Sequence, residues 1–258
     1  MAISPQYVGR APRVVALAGS EKLAYLKKVY ALFTTSILAA AGGAMFALYA
    51  GAGASNASIQ LRDGSVATIP PLVALFSRGW LGLLLGFGLM FGGFMLASAV
   101  RFKPGLNLVA LHGAAAMSGI YIAPMLFFVQ ITASQSQTLS SSPIRDAFLL
   151  ASVGFAGLTG YTMVSKRDFS FLSGFVSIGI FVLIGAGLLN LFFQSSVFGL
   201  AVASAGVVLF GGYVLYDTSK IVREGNEDPI GAAIRIYLDF FNLFIYLLSI
   251  LSSSRSRD

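Results

Sequence analysis

Two carboxylates stand inside stretches that otherwise read as hydrocarbon. Asp217 lies in VVLFGGYVLYDTSKIV and Asp239 in AAIRIYLDFFNLF. An ionised acid in a bilayer costs several kcal/mol, so an intramembrane Asp marks a place of proton or ion chemistry by default. Two carboxyls in hydrogen-bond contact cannot both ionise cheaply and therefore tend to share a proton, which makes such a pair a proton sensor. Arg235 sits one helical turn before Asp239 and Lys220 one turn after Asp217. A static alternative therefore stands beside the sensor: Arg235 pairing with Asp239, and Lys220 or Lys103 neutralising Asp217.

The spacing lets the two acids meet. A helix running through Lys220 and Glu224 to a Gly225 cap puts Asp217 about 12 Å from its end, and Asp239 lies about 15 Å past Pro229. In an antiparallel hairpin these depths match. Tyr213, Asp217, Lys220 and Glu224 share one helix face; Arg235, Asp239, Asn242, Tyr246 and Ser249 share another. Each stripe is polar, so the two faces are expected to point inward, with Tyr213, Arg235, Asn242 and Tyr246 supporting the acids.

The rest of the chain is membrane span and short linker. Of 258 residues 57% are hydrophobic and only 10% charged, far from a soluble domain. Without cysteine there is no disulfide or thiolate chemistry, and one histidine cannot build a histidine-rich metal centre. The net charge of +7 falls in short stretches between apolar runs. That pattern suits lipid headgroups and topology rather than nucleic acid, and no cofactor is expected.

Seven spans are predicted: Val29 to Gly53, Pro71 to Val100, Leu106 to Gln130, Arg145 to Val164, Phe171 to Phe193, Val197 to Lys220 and Gly231 to Leu251. The organisation is thus a tail over residues 1–28, one transmembrane domain over 29–251 and a short tail over 252–258. Most basic residues fall on one side, which puts the N-terminus in the cytoplasm and the C-terminus outside. Residues 1–28 lack the features of a cleaved signal. Gly82 with Gly86 and Gly88 with Gly92 are small-xxx-small pairs expected to pack inside the bundle. His112 is read as a hydrogen-bonding residue between helices, with a second proton-responsive group as the alternative.

Four segments carry a family resemblance: VRFKPG at Val100 to Gly105, SGIYIAPM at Ser118 to Met125, KRDFSFLSGF at Lys166 to Phe175, and the YDTSKIV and AAIRIYLDFFNLF hairpin. The chain resembles the Bax inhibitor-1 family, also called the transmembrane Bax inhibitor motif family, and most of all its bacterial members. The resemblance implies an all-α bundle of seven transmembrane helices around a central C-terminal helix, in a bacterial inner membrane. It implies a pH-sensitive Ca²⁺ leak in which Asp217 and Asp239 form the proton-sensing pair and Arg101 latches onto it in the closed form. Met90 occupies the approximate place of an acid that some relatives carry in the second helix.

Ca²⁺ in a strong site takes roughly six to eight oxygens, so Asp217 and Asp239 would hold it only weakly and in passing, as a permeant ion rather than a cofactor. Two other functions compete. The first is a partner-binding regulator of cell death or membrane proteolysis, acting through another membrane protein; the second is proton-coupled cation exchange. An intramembrane aspartyl protease is disfavoured because YLDF stands where GxGD would, and the seventh span lacks a lysine for retinal. No enzymatic activity is expected.

Overall fold

The computed structural model describes residues 19–61, 63–135, 142–165, 167–225 and 228–255, with side chains to residue 253. Most of the 1–28 tail, residues 136–141 between the third and fourth expected spans, Lys166 and Arg257 lie outside the described residues. The architecture is an all-α bundle. Its helices are α1 (Gly19–Tyr49), α2 (Pro71–Phe76), α3 (Gly79–Ala99), α4 (Leu106–Gln135), α5 (Pro143–Ser165), α6 (Ser173–Phe193), α7 (Ser196–Glu224) and α8 (Pro229–Arg255). Seven of them, all but α2, are long and apolar enough to cross a membrane.

The structure departs from the sequence expectation most clearly in the first two spans and the linker between them. Helix α1 begins at Gly19 rather than Val29, because the polar run from Glu21 to Lys28 continues the helix instead of preceding it. The expected second span breaks at Ser77–Gly79, where Gly79 takes φ +55°, into the short α2 and the membrane-length α3. The linker before it holds an antiparallel hairpin, β1 (Ser58–Gln60) with β2 (Val66–Thr68). An Asp63-Gly64 turn closes that hairpin, with Gly64 at φ +84° and the Ser65 N–H and hydroxyl donating to Asp63 Oδ1.

Helix α8 is the centre. It packs against α1, α3, α4, α5 and α7, whereas α6 lies at the rim against α7. An aromatic cluster fixes one side of α8: Phe33 of α1 stacks on Phe155 of α5 at 4.9 Å, and Phe240 of α8 meets both rings edge-on. Helices α1 and α4 cross at backbone contact. A Cβ on Gly43 would run into the Ala116 carbonyl, and one on Gly119 into the Ala40 carbonyl. Of the two glycine pairs expected to pack, Gly82 and Gly86 do so against α2 and Tyr121, while Gly88 and Gly92 meet nothing.

The RDFSF segment, residues 167–171, clamps the end of α7. The buried Phe169 N–H donates to Ser219 Oγ, that hydroxyl donates to the Arg167 carbonyl, and Asp168 pairs with Arg223. The Ser170 N–H donates to Asp168 Oδ1 at 2.9 Å; this bond first, and Arg223 after it, hold the Asp168 carboxyl below the ordinary aspartate range. A folded value below the unfolded one gives stability above the unfolded pKa that is lost as pH falls through the folded one. A carboxyl-carbon NMR titration should place Asp168 below the ordinary aspartate midpoint, and still below it in Arg223→Ala, since the Ser170 bond remains.

Candidate functional site

The α7–α8 hairpin forms as its spacing predicts. Gly225 caps α7 in the left-handed region at φ +59°, its N–H bonding the Ile221 carbonyl, and α8 starts at Pro229. That register places Asp217 and Asp239 opposite each other in the centre of the bundle. Both are buried, at 5% and 4% exposure, and their carboxyls face each other at hydrogen-bonding range. Carboxylates are acceptors only, so a bond between them needs a proton on one.

Arg235 reaches across the hairpin. Its Nε donates to Asp217 Oδ1 at 3.1 Å, forming the ion pair between helices rather than with Asp239 on its own helix. Lys220 adds positive potential at Asp217. Asp239 has the poorer surroundings: its Oδ2 is buried and, among the described residues, no donor reaches it. The static pairing weighed from sequence is rearranged: Arg235 bonds Asp217 instead of Asp239, Lys220 adds to its compensation, and Arg235 acts on Asp239 through its charge.

Arg101 does not reach the pair in this structure. Helix α3 ends at Ala99, so Arg101 lies in the following turn; its guanidinium covers the Phe102 ring at 4.8 Å and its Cδ approaches Gly231. Gly231 precedes Asp239 by about 12 Å along α8. A cleft of about 630 Å³ lies beside Arg101 between α3 and α8, lined by Met90, Phe94, Ser98, Ile234 and Leu238; neither acid is among the residues that line it.

The other polar side chains expected at the pair do other work. Tyr213 lies near both acids, but its hydroxyl donates to the Val176 carbonyl of α6 at 2.9 Å. Asn242 donates back to Leu238 on its own helix, the local competitor that a polar stripe conceals. Tyr246 lies over Gly206 and stacks on Phe210. His112 is 2.8 Å from both the Leu108 carbonyl and Thr35 Oγ1, joining α4 to α1 as a hydrogen-bonding histidine.

Two polar features were not foreseen. The Tyr237 hydroxyl, fully buried two residues before Asp239, meets Ser118 of α4 at 2.5 Å and fixes the central helix laterally. Tyr30, Thr159 and Thr218 turn buried hydroxyls toward one another where α1, α5 and α7 meet, with no hydrogen bond completed among the described residues. Thr218 directly follows Asp217; its only sequence signal was a hydroxyl beside an intramembrane acid. Among the described residues no three His, Cys, Asp or Glu side chains cluster as a metal centre. Asp217 and Asp239 carry four carboxyl oxygens between them, fewer than the roughly six to eight of a strong Ca²⁺ site.

Comparison with known proteins gives this geometry a lineage. A family described as "Inhibitor of apoptosis-promoting Bax1" matches residues 22–256. An uncharacterized protein of Campylobacter jejuni is 36% identical over 242 residues, covering 92% of each chain. Protein lifeguard 4 of Mus musculus is 30% identical over 90% of this chain and 86% of its own. The Golgi anti-apoptotic protein of Vaccinia virus is 29% identical over 92% of this chain and 88% of its own. With a match that runs from α1 through α8 and includes both acid-bearing helices, this seven-span chain belongs to the family of inhibitors of apoptosis-promoting Bax1.

Proposed function

We propose that the chain is a proton-gated Ca²⁺ leak in which Asp217 and Asp239 sense protons and set whether cations pass. One observation carries this reading: two buried acids face each other, and Arg235 forms an ion pair with Asp217. With Asp217 balanced by Arg235, a proton on Asp239 makes the cluster neutral and bonds the carboxyls. Losing it leaves a net negative charge in the bundle interior, where such charge is expensive.

That cost is the lever of a switch. Arg101 lines the α3–α8 cleft, and in this reading a negative pair deeper in the bundle draws it inward. In this reading the position of Arg101 over Phe102 belongs to the protonated form, and its movement to the acids closes the path. The carboxyl oxygens are too few for tight Ca²⁺ binding, which suits passage. The reading places the protein in a bacterial inner membrane with its N-terminus in the cytoplasm, so that the Arg101, Arg167 and Arg223 ends face the basic-rich side. It assigns no enzymatic step and no cofactor.

Ca²⁺ flux into proteoliposomes across a pH series tests it. Wild type should pass more Ca²⁺ in acid; Asp239→Asn and Asp217→Asn should flatten the pH profile, and Arg101→Ala should raise flux on the alkaline side. A wild-type profile in both Asn variants sinks the sensor. Internal pH recorded in the same vesicles separates leak from exchange, since an exchanger drives protons against the Ca²⁺ current.

The names of relatives, lifeguard 4 and the Golgi anti-apoptotic protein, favour a second reading, a regulator that acts by binding a membrane partner. Purified protein that passes no Ca²⁺ above empty vesicles at any pH would shift the assignment to that role.

A further inference from the structure

A second site opens on another side of α8. A cavity of about 460 Å³ lies between α1 and α5, beyond the Phe33–Phe155 stack, with α4 and α8 as its back wall. Its lining is almost wholly apolar: Ala41, Ala44 and Met45 of α1, Phe148 of α5, and Phe241 and Phe244 of α8 among others. The volume and lining are those of a ligand pocket. Along α1 it runs from Ile37 to Leu48, about 16 Å at the helical rise.

The mouth identifies the occupant. Ala41, Met45 and Phe148 line the cavity and are exposed on the outer surface of helices that cross the membrane, so it opens sideways into hydrocarbon rather than into water. At its far end stand Ser142 and Arg145, at the start of α5 where a span meets the headgroups. Arg145 gives Nε and Nη2 to Asp146 Oδ1, and the remaining guanidinium donors stay available for a phosphate. An elongated apolar slot with a side entrance and an arginine with free donors at its end matches one molecule present at that depth.

We infer that this cavity holds a phospholipid acyl chain, with the lipid phosphate at Arg145. The site reaches Tyr237, Phe240 and Phe241 of the central helix, which are buried from the lipid-facing surface, so a chain seated there touches α8 directly. The inference stands on the cavity and is independent of the Ca²⁺ reading.

The experiment uses the full chain in nanodiscs of phosphatidylethanolamine and phosphatidylglycerol, doped with a phosphatidylglycerol whose acyl tail ends in a diazirine. After illumination, labelled residues are mapped by peptide mass spectrometry. Label on Phe241 or Phe244 of α8 is expected at or above that on Phe181 and Phe192, which α6 exposes at the rim. Ala44→Phe, which fills the cavity, and Ala41→Phe, which blocks its entrance from an exposed position, should each abolish the α8 label and leave the α6 label intact. Arg145→Gln should lower the α8 label obtained with the anionic probe. An unlabelled α8, or an α8 label that both phenylalanine variants leave unchanged, overturns the proposal; intact α6 labelling shows in each case that the variant is folded in the bilayer.

Discussion

Arg235→Ala should cost about 3 kcal/mol of stability, the low end for breaking a buried ion pair because the arginine is itself partly exposed. What is lost is the arginine that pairs with Asp217, a carboxylate with 7% of its side chain exposed. The loss should be largest where Asp217 is ionised and should shrink in acid, where a proton replaces the arginine as its neutraliser. Arg235→Ala combined with Asp217→Asn should recover most of the difference, since an amide leaves no uncompensated charge. Thermal unfolding in detergent, read at neutral and acid pH, tests the sign. A deficit that grows in acid, or a double variant no better than the single, would show that the Arg235–Asp217 contact is not what holds the hairpin.

Gly119→Ala should be nearly as harmful with one added carbon. Its Cβ would fall on the Ala40 carbonyl, a backbone atom that cannot rotate away, so α1 and α4 must separate along their crossing. Overpacking of this kind costs about 1–3 kcal/mol for a yielding neighbour, and backbone yields least. Gly113→Ala on the same helix meets nothing within 4 Å and should change stability by no more than about 1 kcal/mol, through helix propensity alone. Equal effects of the two substitutions would refute the crossing. The comparison is sharp because the chemistry of the change is identical.

The fold was legible where one physical cause dominated. Long apolar runs gave the spans, and Gly225 and Pro229 gave the hairpin ends and thereby the shared depth of Asp217 and Asp239. Legibility failed where two local interactions compete on one helix face. Asn242 shares a stripe with Asp239, but its amide bonds its own helix, and Tyr246 spends its ring on Gly206. Periodicity reports a direction, not a partner. Arg235 shows the same limit: spacing allowed it to bond Asp239 one turn away, and only the tertiary packing sends it to Asp217. The split of the second span at Gly79 was hidden because hydropathy is blind to a single left-handed residue.

The central place of α8 has a consequence for how the protein is made. The ribosome delivers α1 through α7 before the helix that fills the space among them, so the earlier spans enter the membrane as a ring without its axle. Until α8 arrives, Ser118 lacks the Tyr237 hydroxyl and Asp217 lacks Arg235. During that interval both polar groups lack the partner that α8 supplies, and insertion of α8 completes the two contacts together.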